Sequence, residues 1–477
     1  MKKEQIKKMI YWCLVLSLYG MGVAGYLMAE YNFYDATYFA IHLFFFRGSY
    51  IKNSNALLYM ARILCPMITM TGLFSVLRDV FEIISESIKS RRKNATAIYY
   101  DTEKMHEIGN GFQCPVMMRN RVNKKVKSHV LLMEKDVDNF EFCKRMEKEV
   151  QEDSKIYMKL EEMESGLLKE SNIYYFNINE IIAREYWQTR NLQKYLTEKE
   201  MQVKIAIIGF NALGRNLLNY GLMNNIYSLE QSIQYHVWGD SKLYEKMLGS
   251  FDMMNNDSIT FHKEEWIDAI EQLNGFDRII VTKENDVEVL RALLYFCSEA
   301  EIDFYNPVGE ELVEACIGNH VTGFGVWQNV ITEKNIKTDK LYREAKEINY
   351  DYEVRYGNPE KYSWNDADVE EKMEKLWNGL NGFLKGSNLA SADYHKIRLL
   401  IMAKMEISKN DWSMEEQEML AKMEHIRWSR YHFVNHWSYG ETKDKAKRTH
   451  PLLVAYEKLP EKEKAKDVST IKEMFEE

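Results

Sequence analysis

Lys204-Ile205-Ala206-Ile207-Ile208-Gly209-Phe210-Asn211-Ala212-Leu213-Gly214-Arg215-Asn216-Leu217-Leu218 changes its hydrophobic period at a single glycine. Lys204 to Ile208 is an apolar, β-branched run, and a helical pattern starts directly after Gly209, so the stretch reads as strand, tight turn and helix. In a Gly-x-Gly-x-x-Gly dinucleotide turn the middle glycine lets the backbone approach a pyrophosphate. Here Gly209 and Gly214 hold the outer positions and Asn211 the middle one. Two readings follow: a nucleotide site on Gly209, Asn211 and Gly214, or a Rossmann-like scaffold that binds nothing.

Working outward, Gln234 to Trp238 reads as the next strand and leads to Asp240, placed where a carboxylate can take ribose hydroxyls. Arg278 to Thr282 and Ile302 to Tyr305 read as further strands around a helix at Val287 to Cys297. Such alternation implies a parallel, doubly wound sheet. Upstream, Ala95 to Tyr100 and Ser128 to Glu134 read as strands of an eroded α/β unit, with Asp101-Thr102-Glu103 in place of a glycine-rich turn. Carboxylates there would repel phosphate. The charged stretch Lys144 to Glu164 reads as a solvated helix face.

The first eighty residues have another character. Ile10 to Ala29 contains no charged side chain and is about the length needed to cross a hydrocarbon core as a helix. Leu57 to Leu77 is also long enough, with Arg62 one turn inside it and Pro66 expected to kink it. Between them Ala36 to Phe46 is too short to span and suits a pore helix or an interfacial segment. Lys2, Lys3, Lys7 and Lys8 precede the first span, while Arg78, Lys89, Arg91, Arg92 and Lys93 follow the second, which puts both termini in the cytoplasm. A cleaved signal peptide fits less well, because a second span follows and no small-x-small site intervenes. A plain, non-conducting anchor fits the same residues.

The 477 residues carry a net charge of −9, which argues against nucleic-acid binding and for a small ligand. Six scattered cysteines, with no Cys-x-x-Cys pair, read as reduced packing residues and supply neither a disulfide frame nor a zinc site. No nucleophile elbow, His-Glu-x-x-His or phosphate loop with Gly-Lys-Ser/Thr occurs, so the chain is not read as an enzyme, and no cofactor or metal is assigned.

Two membrane helices around a pore-like segment, followed by tandem Rossmann-like units, resemble potassium channels with RCK (TrkA-N type) domains over residues 1–320. The resemblance implies a homo-oligomer, a tetramer or else a dimer, in contact with membrane lipid. A departure lies at Phe44-Phe45-Phe46-Arg47-Gly48, where a Thr-Val-Gly-Tyr-Gly filter would be needed for selective potassium conduction.

Towards the end of the chain, Leu420-Ala421-Lys422-Met423-Glu424-His425-Ile426-Arg427-Trp428, His436-Trp437-Ser438-Tyr439-Gly440 and His450-Pro451 resemble the RyR domain, the repeat module of ryanodine receptors. Ser387-Asn388, Ala392-Asp393 and Lys396-Ile397-Arg398-Leu399 extend the resemblance upstream, and Leu459, Glu461, Lys464 and Asp467 extend it downstream. Departures are His436, where glycine is common, and Ala455-Tyr456, where Pro-Trp is common. Glu424, Arg427, Trp428 and Tyr431 fall at helical spacing on one broad face, with Trp437 and Tyr439 after a short break. With Asn388 they form the candidate pocket, whose aromatic faces, guanidinium and carboxylate suit a nucleotide or nucleotide-derived ligand. The plain alternative is a structural Glu424–Arg427 pair with tryptophans filling a small core.

These readings divide the chain into a transmembrane hairpin (1–92), a degenerate Rossmann-like unit (93–200), a second such unit of TrkA-N type (201–330) and a mainly α-helical RyR-like domain (331–477). The expected whole is a channel-like effector of the bacterial inner membrane, gated by a cytoplasmic ligand and, by analogy, serving antiphage defence. A membrane-tethered scaffold and a nucleotide-processing enzyme are the rival readings.

Overall fold

The computed structural model describes residues 2–473 apart from 46, 48–52, 120, 164–167, 169–172, 199–200, 249–254, 285, 308–315, 317–319, 338 and 408–411. Two compact units are present, Met1–Arg92 and Lys93–Glu477.

The first unit holds α1 (Lys2–Met28), α2 (Phe33–Leu43) and α3 (Ala56–Lys89). Met9–Met28 and Ala56–Phe74 are long and apolar enough to cross a membrane, by length and composition. Small residues let the helices approach: a Cβ on Gly25 would lie 2.9 Å from the Leu58 nitrogen, and one on Gly22 3.2 Å from the Ala40 Cβ. Asn55 caps α3 by accepting from the Leu58 N–H, and its Nδ2 donates to the Gly25 carbonyl at 2.7 Å. Pro66 lies inside one unbroken helical run. Trp12, Leu16, Ile63 and Phe74 are exposed, as lipid-facing side chains would be. The pore-like stretch is the eleven-residue α2, after which Phe44 packs partly against the hairpin core while Phe45 and Arg47 are exposed. Phe46 and Gly48 lie outside the described residues.

The second unit is built on two all-parallel sheets. Strands β1 (Thr96–Tyr100), β2 (Pro115–Met118), β3 (Ser128–Leu132), β4 (Lys155–Leu160) and β5 (Ile173–Asn177) lie in the order β2-β1-β3-β4-β5. Helices α4 (Glu103–Asn110), α5 (Asp136–Met146) and α6 (Ile178–Thr189) accompany them. Strands β6 (Gln202–Ile208), β7 (Ser232–Trp238), β8 (Ser258–His262), β9 (Arg278–Val281), β10 (Glu301–Tyr305) and β11 (Val321–Phe324) form the second sheet, ordered β11-β10-β9-β6-β7-β8, with α7 (Ala212–Asn224) and α8 (Val287–Phe296). Both are doubly wound, so the strand order of each reverses at one switch point, between β1 and β3 and between β6 and β9.

The period of two along β6 sorts its residues between two cores. Val203, Ile205 and Ile207 join a cluster with Trp187, Leu217 and Tyr235, whereas Ala206 and Ile208 face Leu290, Leu293 and Phe304. The expected helical face over Lys144 to Glu164 is corrected here. Helix α5 ends at Met146, and Lys155–Leu160 is a strand whose last five residues are buried. Its charge is neutralised inside the sheet, where the fully buried Lys159 donates to the Glu134 carbonyl at 2.9 Å and to the Glu161 carboxylate at 2.7 Å.

The C-terminal part carries the longer helices α9 (Asp339–Tyr352), α10 (Val369–Asn378), α11 (Gly382–Lys404), α12 (Met414–Val434) and α13 (Glu461–Glu473). The Ser-x-x-Glu pattern at Ser413 starts α12 with a full capping box: the Ser413 hydroxyl accepts from the Glu416 N–H and the Glu416 carboxylate accepts from the Ser413 N–H at 2.7 Å. Tyr394 and Leu420, from α11 and α12, belong to the same buried cluster as Trp187 and Leu217.

Candidate functional site

At the second sheet's switch point the turn is closed from within. Gly209 has φ +99°, a left-handed conformation that favours glycine, and a Cβ on Gly214 would lie 2.2 Å from the Gly209 carbonyl oxygen. Asn211 caps α7 by accepting from the Gly214 N–H at 2.9 Å, and its Nδ2 donates across the crevice to the Thr282 carbonyl at 3.1 Å. The side chain thus takes up a donor that a phosphate would use. Asp240 is exposed after β7. At the first sheet's switch point Asp101 plays a similar part, its carboxylate accepting from the Glu134 N–H at 3.0 and 3.1 Å.

A large cavity, about 1130 Å³, lies instead among α9, α11, α12, α13 and the segment after α12. Among the predicted site residues, Asn388, Glu424, Arg427, Trp428 and Trp437 line it. Tyr431 does not line it: it stands two helical turns beyond Glu424, about 10 Å along the axis, and its hydroxyl donates to the Phe383 carbonyl at 2.6 Å over Gly386. Tyr439 is 53% exposed and also lies outside the lining.

Glu424 is held by two arginines. Arg427 Nε lies 3.1 and 3.0 Å from its two oxygens, Arg427 Nη2 lies 2.8 Å from Oε1, and Arg398 Nη1 lies 3.3 Å from Oε2. All three side chains are buried. Burial opposes the charged carboxylate, but Arg427 and then Arg398 hold its pKa below the ordinary value. Arg427 Nη1 is buried and has no hydrogen-bond partner among the described residues. Nearby, His425 faces Asp467 at 3.5 Å and bonds the Val454 carbonyl at 2.8 Å.

The aromatic lining is ordered. Trp437 stacks on Phe383 with centroids 5.0 Å apart, His432 lies 4.0 Å from Trp428, and His450 stands edge-on to Trp428 at 5.1 Å. Burial lowers the pKa of His432 to about 3 and that of His450 to about 4, so both rings are neutral at pH 7. Trp428 is half-buried and offers a surface on which a flat ring can stack. Asn388 donates to Asn349 at 3.4 Å and to the Leu384 carbonyl at 3.2 Å.

Sequence reasoning missed Phe383 and His432 in this lining, and it left out Arg398, which backs the wall. It also missed Lys443, Lys445, Arg448 and Lys466, although four cations in the six residues from Lys443 to Arg448 were a visible signal. The departure at His436 has a geometric meaning: its φ is +64°, where a glycine is favoured.

Residues 402–476 match the RyR domain family. That span is shorter than the stretch over which the sequence resemblance was drawn, and Asn388 and Arg398 lie outside it. No curated protein matches the chain. Among solved structures, GsuK bound to ADP is similar at 12% identity and a TM-score of 0.34, covering 70% of this chain and 98% of that one. A glycerate dehydrogenase related protein from Thermoplasma acidophilum is similar at 8% identity and a TM-score of 0.22, covering 50% of this chain and 96% of that one.

Proposed function

We propose that this chain is a multimeric membrane protein in which the cavity between α11 and α12 senses a nucleotide or nucleotide-derived signal and switches the N-terminal hairpin. One observation carries the reading: a cavity of about 1130 Å³ that combines stacked aromatic rings with a buried two-arginine clamp on Glu424. The site is a sensor without catalytic machinery. In this reading α1 and α3 span the bacterial inner membrane with both termini in the cytoplasm, and α2 lies at the level of a pore or interface. One hairpin cannot enclose a pore, so copies assemble, four by resemblance to RCK channels. Ligand must bind one assembly state more tightly than another, because equal affinity for both shifts nothing. The output is ion flux or membrane disruption, and antiphage defence is a role that such an output would serve.

The test uses full-length protein reconstituted in liposomes, with nucleotides added on the side of residues 93–477. Flux that needs a nucleotide and is lost in Trp428→Ala supports the reading. Calorimetry showing nucleotide binding without flux would leave a non-conducting tethered binder, and no binding across the nucleotide panel would sink the sensor itself.

A further inference from the structure

We infer that the turn Lys443–Arg448 is a phosphate clamp, so that the ligand of the cavity carries a chain of at least two phosphates and is not a neutral nucleoside. This rests on the cavity being the nucleotide site proposed above.

The turn is rigid by its own bonds. Asp444 and Thr449 exchange both backbone hydrogen bonds at 3.0 Å, and the Asp444 carboxylate accepts from the N–H groups of Ala446 and Lys447 at 2.9 and 3.1 Å. Lys443 and Lys445, two residues apart, line the cavity, while Lys447 does not and lies 3.9 Å from the Asp444 carboxylate. Arg448 stands beside them in the lining, with its Nη1 donating to the Asn435 carbonyl at 3.1 Å.

Charge in the lining is unevenly matched. Of the seven lining carboxylates, those of Glu347, Asp351, Glu424, Glu463 and Asp467 face Arg343, Arg355, Arg427, Lys466 and His425 respectively, Glu353 accepts from Asn358 Nδ2 at 2.7 Å, and Glu344 completes the set. Lys443 and Lys445 have no such partner among the described residues. Desolvation by the cavity wall, then the neighbouring Lys445 and Lys466, push the Lys443 pKa below its usual value, with Glu463 opposing. Like charges held together at the edge of a cavity repel until an anion lies between them. A phosphate chain supplies that anion, and the rings of Trp428 and His432 lie in the same cavity to take a base. His432 and His450 both sense Lys443, which adds to burial in lowering the pKa of each.

The experiment is calorimetric titration of the full-length protein in detergent with the common nucleosides, their mono- and diphosphates, and inorganic pyrophosphate. A Lys443→Gln/Lys445→Gln double variant is titrated in parallel, and its melting curve should match that of the parent because both side chains are exposed. The expected result is at least tenfold tighter binding of a diphosphate than of its nucleoside, weakened by salt, with that advantage lost in the double variant and nucleoside affinity unchanged. Equal affinity for nucleoside and diphosphate, or an advantage that survives in the double variant, overturns the clamp and leaves the nucleotide site standing. If none of the probes binds, both fall. Phosphatidylglycerol vesicles that displace pyrophosphate would reassign the clamp to lipid headgroups and overturn the ligand class.

Discussion

Arg430 on α12 and Asp257 beside β8 form an ion pair with Nη2 and Oδ2 2.9 Å apart, both side chains essentially sealed from solvent. Arg430 Nη1 also donates to the Leu222 carbonyl at 3.1 Å, and Asp257 accepts from Gln231 Nε2 at 2.9 Å and from the Ile233 N–H at 2.6 Å. Three residues earlier on the same helix, Arg427 faces the cavity. On α11, Asp393 pairs with Arg184 while Asn388 lines the cavity. Helix α12 is therefore fixed to the second sheet and α11 to α6 by buried charge, and a ligand that moved this wall would have to move those elements with it.

Because both charges are buried, losing one strands its partner in a low-dielectric site. Arg430→Met and Asp257→Asn should each destabilise residues 93–477 by about 3–5 kcal/mol. The double variant should cost less than the two single losses added together. Urea melts of all four proteins measure this, and strictly additive losses would mean that the pair is not coupled.

The glycine turn gives a second prediction, about packing. Gly214→Ala forces a methyl group to within 2.2 Å of the Gly209 carbonyl, so helix α7 must shift away from β6. Loss of more than about 2 kcal/mol is expected. Asn211→Ala removes the cap and the bond to the Thr282 carbonyl without a clash, and should cost about 1–2 kcal/mol. If both variants melted like the parent, the turn would have to be slack, contrary to its bonds.

How far the fold could be read depended on where the charges lie. Lys204 to Ile208 and Arg278 to Val281 announce themselves as β-branched runs, and the observed strands cover them. Strand β4 was hidden because Lys155 and Lys159 read as solvent-facing, when Lys159 in fact reaches a carbonyl and a carboxylate inside the sheet. Strand β8, Ser-Ile-Thr-Phe-His, lies at a sheet edge and is too short and mixed to stand out. In the candidate site Trp428 and Arg427 were legible because they sit in a motif, whereas the cation run from Lys443 to Arg448 was visible but not which of its members meet the cavity, since the turn that presents Lys443 and Lys445 follows no spacing rule.

His436 allows the backbone to be separated from the side chain. Its φ of +64° costs any residue with a Cβ about 1–2 kcal/mol relative to glycine, while its ring meets Tyr244 edge-on at 5.8 Å. His436→Ala loses the ring contact and keeps the strain, and His436→Gly loses both. The glycine variant should be the more stable of the two by about 1 kcal/mol in parallel thermal melts. An alanine variant equal to or better than glycine would show that the turn relaxes on substitution.

Acid should weaken the first sheet through His129. The ring is fully buried, with Nδ1 3.0 Å from the Tyr99 hydroxyl, and burial lowers its pKa to about 4, opposed by a backbone bond at Val126. The unfolded chain, with an ordinary histidine pKa near 6.5, binds the proton more readily than the folded chain throughout the interval between these values. Stability from this group is therefore fully present above about pH 6.5 and is lost as pH falls towards 4. Between pH 7 and pH 5 the loss amounts to about 2 kcal/mol. A non-titrating His129→Gln variant should be less stable at pH 7, because a fitted buried ring is gone, and its stability should fall less between pH 7 and pH 5. Denaturant melts at the two pH values separate these effects: the difference in slope belongs to the proton and the offset at pH 7 to packing. Equal slopes in the two proteins would mean that His129 stays hydrated or protonated in the fold.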